Sequence, residues 1–202
     1  DGPTLLSGII ANVTGNSTEE FAKKYLFDPL GILKDEYYWT NDSKGIDWGG
    51  YGFACSPKVQ AKIGMLCLNN GTWNGTQIVD KNYIRDATTT QISGSKSNYG
   101  YLFYTDGPFE GYFAAGAAGQ YIYVIPKYNI VVGFTASLII WVDYEDLISD
   151  YILQFVEIEP DPDPDPEDPV IPGFNLNMII LTIFSTTTVL LIRRKKQTRK
   201  LK

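Results

Sequence analysis

The chain of 202 residues contains no histidine. That absence removes the Ser-His-Asp and Cys-His arrangements of nucleophilic catalysis, because no imidazole is present to take the nucleophile's proton. It also removes every His-ligated metal, and two distant cysteines, Cys55 and Cys67, make no zinc site. Basic residues are scarce where the acids lie. All 23 acidic residues fall in 1–168, against 10 of the 17 basic ones, so that portion carries −13 and the remainder +7. Such an acidic surface argues against nucleic acid as a partner. The Asp161–Asp168 tract lacks the glycine turn and bidentate glutamate of a calcium loop. No cofactor is expected.

Two cysteines in an exported chain invite a disulfide, and geometry argues against it. Ser56-Pro57 reads as an N-cap followed by proline at the first helical position, which predicts a helix over 57–69. Cys55 precedes that helix and Cys67 lies three turns in. At about 1.5 Å per residue they stand about 18 Å apart, against a limit of about 7 Å. Both read as buried free thiols.

Helical spacing of Leu5, Leu6, Ile9, Ile10 and Val13 predicts a helix over 4–14, ended by Gly15. Ser17 and Glu20 form a capping box for a second helix over 18–27. Residues 35–55 read as a Gly-, Asp- and aromatic-rich loop, with Trp48, Gly49, Gly50 and Tyr51 at its centre. Those four either line a cleft or cap the core. Trp73-Asn74-Gly75 marks a tight hairpin and Asp80–Ala87 a short helix. The period then changes. Strands are predicted at Tyr99–Tyr104, Tyr112–Ala115, Gln120–Ile125 and Ile130–Ala136, with a turn over Pro126–Asn129 and a final helix over Val142–Val156. Helices, then antiparallel strands, then a helix give an α+β class.

The last residues read as an address. An acidic Pro-rich linker (157–172) leads to an apolar segment (173–192) and a basic tail (193–202). The linker is stiff and reaches roughly 50 Å at about 3.1 Å per residue. Phe174–Ile192 carries no charge and spans about 28 Å as a helix, close to a hydrocarbon core of about 30 Å. The basic tail stays cytoplasmic by the positive-inside rule. The expectation is a single-pass cell-membrane protein with 1–156 outside, a buried core helix being the alternative. Pro172-Gly173-Phe174 before the apolar run also resembles archaeal surface-protein sorting signals, which implies a processed tail. Asp1 follows no export signal, so a longer chain is expected. Five sequons, at Asn12, Asn16, Asn41, Asn70 and Asn74, are candidate glycan acceptors.

One Ser-x-x-Lys string occurs, Ser93 to Lys96. A Ser/Lys pair needs the serine at a helix start with the lysine one turn later. Here the flanking Gly94, Ser95, Ser97 and Asn98 mark a loop, so it reads as a decoy. Tyr128-Asn129 is a hairpin turn by the same logic. More informative is Gly111–Ser137, where small residues Ala114–Gly119 interrupt a strand pattern before Gln120. Glycine inside a strand marks either close approach of a ligand or a bulge packed under a helix. A strand with free N–H groups can supply an oxyanion donor.

Four blocks, LLSGIIANVTG, EFAKKYLFDPLGI, GGYGFACSPKVQAKIGMLCLNNGTWNGTQIV and GAAGQYIYVIPKYNIVVGFTAS, resemble in order and spacing the serine hydrolases related to class C β-lactamases and penicillin-binding proteins. The likeness is to the 6-aminohexanoate-dimer hydrolase and esterase branch and covers nearly all of 3–156. It implies the C-terminal part of a β-lactamase/transpeptidase-like fold, an antiparallel sheet flanked by helices. It also implies an acyl-enzyme mechanism in which a Ser-x-x-Lys serine attacks a carbonyl and a tyrosine motif moves protons. Both of those motifs would precede Leu5, with Asp1 as the last position of the second. The third motif falls on Gly116, Ala117, Ala118 and Gly119. The resemblance implies the Ala117 N–H as oxyanion donor, Gly116 as a close-approach position, and Ala118, Gly119, Trp48 and Tyr51 as substrate-binding residues. The missing Lys and Thr of the β-lactamase motif favour a small ester, amide or peptide-like substrate over β-lactams. A non-catalytic surface module on the same fold is the alternative.

Overall fold

The computed structural model describes residues 2–94, 97–136 and 143–155. Helix α1 (Gly2–Thr14) ends at Gly15, whose φ of 70° closes the turn. The capping box forms as the sequence requires: the Glu20 N–H donates to Ser17 Oγ at 3.2 Å and the Ser17 N–H to Glu20 Oε2 at 2.8 Å. Helix α2 is shorter than expected, Thr18–Ala22, and widens into one π turn, Lys23–Phe27. The wider turn carries Phe27 into the core, where it is buried.

The stretch expected to be loop holds a hairpin. Strands β1 (Tyr37–Trp39) and β2 (Phe53–Cys55) pair antiparallel. Phe27 meets Tyr37 at a tilt with ring centroids 4.7 Å apart, and Trp39 meets Phe53 at 4.8 Å. Each strand is three residues long, too short to show a period, and aromatic packing adds to the few ladder hydrogen bonds that join them. Helix α3 (Pro57–Leu68) begins at the Ser56 cap. Strands β3 (Thr72–Trp73) and β4 (Thr76–Gln77) turn on Asn74 and Gly75, both at positive φ. Helix α4 (Lys81–Thr88) is capped by Asp80.

Strand β5 (Ile92–Ser93) pairs with β6 (Asn98–Tyr99). The strand expected over Tyr99–Tyr104 is broken. Gly100 donates to the Phe103 carbonyl at 2.9 Å, Leu102 adopts φ 64°, and Tyr104 comes back to bridge Tyr99. Tyr104 then bridges Phe113 of β7 (Tyr112–Gly116), which pairs with β8 (Gln120–Ile125), which pairs with β9 (Ile130–Phe134). Strand β9 stops two residues before the expected end at Ala136. The closing segment is α5 (Tyr144–Tyr151) with a 3-10 turn over Leu153–Phe155, shorter than the expected 142–156.

The sheet carries a helix on each face. Tyr123, Ile125, Ile130, Val132 and Phe134 point one way and pack against Ile148 and Ile152 of α5. Residues of opposite parity, Ile122, Val131 and Gly133, face α3. Gly64 sets that approach: a Cβ there would overlap Val131 Cγ1 and stand 2.9 Å from Ile122 Cγ2. A second cluster gathers Phe27, Leu30, Ile32, Tyr37, Val59 and Leu66 on the far side of α3.

Cys55 is half-buried, Cys67 is buried, and the two are unlinked. Burial pushes both thiols up to about 11 from an ordinary 9.0. The neutral thiol is the form the fold accommodates, so their contribution is present below pH 9 and is lost as pH rises toward 11. Each contributes up to about 1.4 kcal/mol per pH unit in that window. We expect urea midpoints to fall between pH 9 and 11, and a Cys67→Ala variant to lose part of that slope. An unchanged slope in that variant would rule out the buried thiol as its source.

Helix α1 is the exception to the packing. Leu5, Leu6, Ile9 and Val13 have the predicted helical spacing, yet Leu5 is 68% and Val13 75% exposed. Among the described residues no helix is long and apolar enough to cross a membrane. The linker, the apolar segment 173–192 and the basic tail lie outside the described residues.

Candidate active site

The alternation of the sheet can be fixed from one pair of hydrogen bonds. Phe113 donates to the Tyr104 carbonyl at 3.0 Å and accepts from the Tyr104 N–H at 2.8 Å. Its main-chain groups therefore point away from β8. In an antiparallel ladder the next residue in the same orientation is two along. The Ala115 N–H thus faces the open edge of β7, past the point where Tyr104 ends its pairing. Gly116 is still strand and pairs with Gln120, so its backbone aims the Ala117 N–H to the same side.

Ala117, Ala118 and Gly119 form the turn between β7 and β8 rather than a continuation of the strand. Ala118 has φ 62° and Gly119 φ 93°. A non-glycine residue in the left-handed region costs about 1–2 kcal/mol, so the surroundings must hold Ala118 there. Two contacts brace the turn. Tyr144 Oη of α5 donates to the Gly119 carbonyl at 3.3 Å, and Gln120 Nε2 donates to the Ala136 carbonyl. Burial raises the Tyr144 pKa, which keeps that donor protonated. Below the turn, Tyr104 stacks on Phe113 at 4.9 Å and Phe113 on Tyr123 at 5.2 Å, while Tyr121 meets Tyr144 at a tilt at 4.9 Å. This ladder stiffens β7 from the α5 side. A Cβ at Gly119 would run into Tyr144 Oη and stand 3.0 Å from Ala136 Cβ. Gly119→Ala should therefore cost about 2 kcal/mol or more in stability. A thermal melt within 1 °C of wild type would contradict this bracing.

The structure brings Gly116, Ala117, Ala118 and Gly119 together at the end of β7. Trp48 and Tyr51 lie in the loop between β1 and β2. Their rings stack on each other at 4.6 Å, and the Trp48 carbonyl accepts from Trp39 Nε1 at 2.9 Å. A Cβ on Gly49 would collide with the Pro3 carbonyl, so this loop lies against the start of α1. Tyr144, Gln120 and Tyr104 support the site and escape a sequence reading. Gln120 alone left a trace, as the polar residue that closes the small-residue run.

Ser93 lies on strand β5, without the helix that a Ser/Lys pair needs, and Lys96 is outside the described residues. Among the described residues no group of three His, Cys, Asp or Glu could hold a metal ion. The sequon asparagines Asn12, Asn41, Asn70 and Asn74 are exposed and Asn16 is partly so. Asn12 sits within α1, whereas Asn70 and Asn74 sit in turns at φ 51° and 47°.

No family model matches the chain, and no curated protein does. Among solved structures it is similar to the protein of Bacillus anthracis assigned as a 6-aminohexanoate-dimer hydrolase. The TM-score is 0.56 and the sequence identity 23%, over 62% of this chain and 34% of that one. The chain thus spans about a third of the length of that structure. The described residues form an α+β unit similar to the matching part of that structure, a β-lactamase-like fold.

Proposed function

We propose that this chain is the sheet-bearing portion of a serine hydrolase that cleaves a small ester or amide through an acyl-enzyme. The observation that carries the reading is the open edge of β7, where Ala115 and Ala117 direct their amides outward beside a braced turn. One such amide, joined by a second donor from outside the described residues, can stabilise the negative charge that develops on a carbonyl oxygen during acyl transfer. Gly116 presents no side chain there, so a substrate can lie against the main chain.

In this reading the nucleophile lies outside the described residues. With no histidine in the chain, a Ser-x-x-Lys pair with a tyrosine is the chemistry that fits, and it must come from elsewhere. In this reading the domain works outside the cell, held to the membrane by residues 173–192 at the end of the acidic linker. The expectation for localisation rests on the charge pattern of the sequence.

The test is hydrolysis of p-nitrophenyl acetate by the gene product in its native genomic context, alongside the 202-residue chain alone. The complete product should turn the ester over and react with a fluorophosphonate at a serine outside 2–155. The chain alone should match a heat-killed control. Turnover by the chain alone would sink the reading. Inactivity of both would favour the non-catalytic surface module.

A further inference from the structure

The same triplet, Asn-Gly-Thr, occurs twice around the β3–β4 hairpin, at Asn70-Gly71-Thr72 and at Asn74-Gly75-Thr76. Both asparagines and both glycines have positive φ: 51° and 82° in the first triplet, 47° and 77° in the second. An asparagine carries its own electrophile, the side-chain carbon Cγ. The main-chain nitrogen of the next residue is the nucleophile beside it. When that residue is glycine, no Cβ hinders the attack and the backbone turns freely. The two triplets are alike in composition, and only their surroundings tell them apart.

Gly71 is buried and clamped. Its N–H donates to the Leu66 carbonyl at 2.8 Å, and its carbonyl accepts from Ile78 at 2.9 Å and Val79 at 3.1 Å. Gln77 Nε2 donates to the Asn70 carbonyl at 2.8 Å. A Cβ at Gly71 would overlap the Val79 carbonyl oxygen, so no room remains there for a ring to close. Gly75 is the reverse. It is exposed, and nothing stands within 4 Å of a Cβ placed on it. Among the described residues neither its N–H nor the exposed Asn74 side chain has a hydrogen-bond partner. Bringing Asn74 Cγ onto the Gly75 nitrogen disturbs only the Trp73–Thr76 pair at the tip of a hairpin with two-residue strands. The same rotation at Asn70 breaks the bonds that hold Gly71.

We propose that Asn74 is a self-modifying site, which converts through a succinimide to isoaspartate and aspartate while Asn70 stays intact. The Gly75 nitrogen gives up its proton and attacks Asn74 Cγ. The new N–C bond forms, the Cγ–Nδ2 bond breaks, and the leaving nitrogen takes up a proton and departs as ammonia. Water then opens the ring. Addition at Cγ gives aspartate, and addition at the Asn74 main-chain carbonyl gives isoaspartate. The net change consumes one water and releases one ammonia, with no oxidant or cofactor. Isoaspartate routes the main chain through Cβ and Cγ, which lengthens a turn of only two residues. Trp73, Ile78 and Val79 pack on the second core cluster, so a lengthened tip loosens the hold of the hairpin on it. Either product adds a negative charge to a portion that is already acidic. Nδ2 of Asn74 is also the atom a glycan would take, so the reaction removes that acceptor. This chemistry is independent of any acyl transfer by the domain.

The test ages the gene product from its native context at mildly alkaline pH, carrying Thr72→Val and Thr76→Val. These changes remove both sequons, keep both Asn-Gly pairs and preserve the branched side chains that suit a strand. Aging in heavy-oxygen water labels each acid as it forms, and peptide mass spectrometry then counts conversion at residues 70 and 74. In the folded protein Asn74 should convert at least about tenfold faster than Asn70, which must wait for local opening. In urea the two rates should agree within about twofold, because the clamp on Gly71 is gone. Gly75→Ala should slow Asn74 about tenfold or more. An enzyme that methylates isoaspartyl carboxylates should label the aged protein on the peptide that holds residue 74. The unaltered sequence made by cell-free translation, where no glycan is added, should show the same order of rates. Equal rates in the folded protein, or Asn70 converting first, would overturn the proposal. So would an Asn74 that stays intact in the folded protein while the unfolded chain converts.

Discussion

On the proposed acyl-enzyme reading, Ala117→Pro in the gene product from its native context is expected to lower kcat for p-nitrophenyl acetate about 100- to 1,000-fold. Proline removes the one group the mechanism requires at this position, the main-chain N–H, and keeps a side chain of modest size. The backbone can accept it. Ala117 is not among the positive-φ residues, and Gly116 before it is extended, as a residue preceding proline should be. The loss belongs to the transition state, where the oxyanion forms, so KM should move far less than kcat. Ala117→Gly keeps the N–H and should stay within a few-fold of wild type. Circular dichroism and the thermal melt separate this effect from a collapsed turn. A proline variant that folds and turns over normally would remove Ala117 from the oxyanion hole. Ala115, whose amide points to the same edge, would then be the donor to test.

Ile148→Ala is expected to destabilise the unit by about 2–5 kcal/mol. Ile148 is fully buried and joins α5 to Tyr123, Ile125, Val132 and Phe134. Truncation leaves a cavity between a helix and a sheet that are each held in place from elsewhere, so the site cannot easily collapse. For a unit of this size each kcal/mol shifts the midpoint by about 2–4 °C, and a drop of roughly 10 °C follows. The consequence reaches the candidate site. Tyr144 lies one turn earlier on α5 and braces the Gly119 carbonyl, so a loosened α5 should also free the β7–β8 turn. Faster hydrogen exchange at Ala118 and Gly119 in the variant would report that coupling. A midpoint within 2 °C of wild type would show that α5 is not anchored through Ile148.

Much of the local structure was legible before any coordinates. Ser17 with Glu20, Ser56 with Pro57, Asn74 with Gly75 and Asp80 before Lys81 each act within four residues, and each forms as its chemistry demands. The boundaries of β7 and β8 follow from side-chain alternation, which is also local. What was missed depends on distant partners. The β1–β2 hairpin joins strands 13 residues apart, between Trp39 and Phe53, through rings whose meeting no short window reveals. The Tyr99–Tyr104 segment has strand composition. It turns because Tyr104 pairs back to Tyr99 and across to Phe113. The α2 helix widens into a π turn where Phe27 enters the core.

The candidate site divides the same way. Sequence located the small-residue run Gly116–Gly119 and excluded histidine chemistry and a paired disulfide. It grouped Trp48 and Tyr51 with that run, and the structure adds that Gly49 of their loop packs against Pro3 of α1. Composition alone determined the acidic character of 1–168, the basic end and the class of chemistry open to a chain without imidazole, because these depend only on which residues are present. Tertiary structure alone decided which amides face the open edge of β7, that α5 braces the turn, and that among the described residues the apolar stripe of α1 and the outer edge of β9 stand uncovered. Those depend on strand register and on which surfaces meet, and both are set by contacts between residues far apart in the chain.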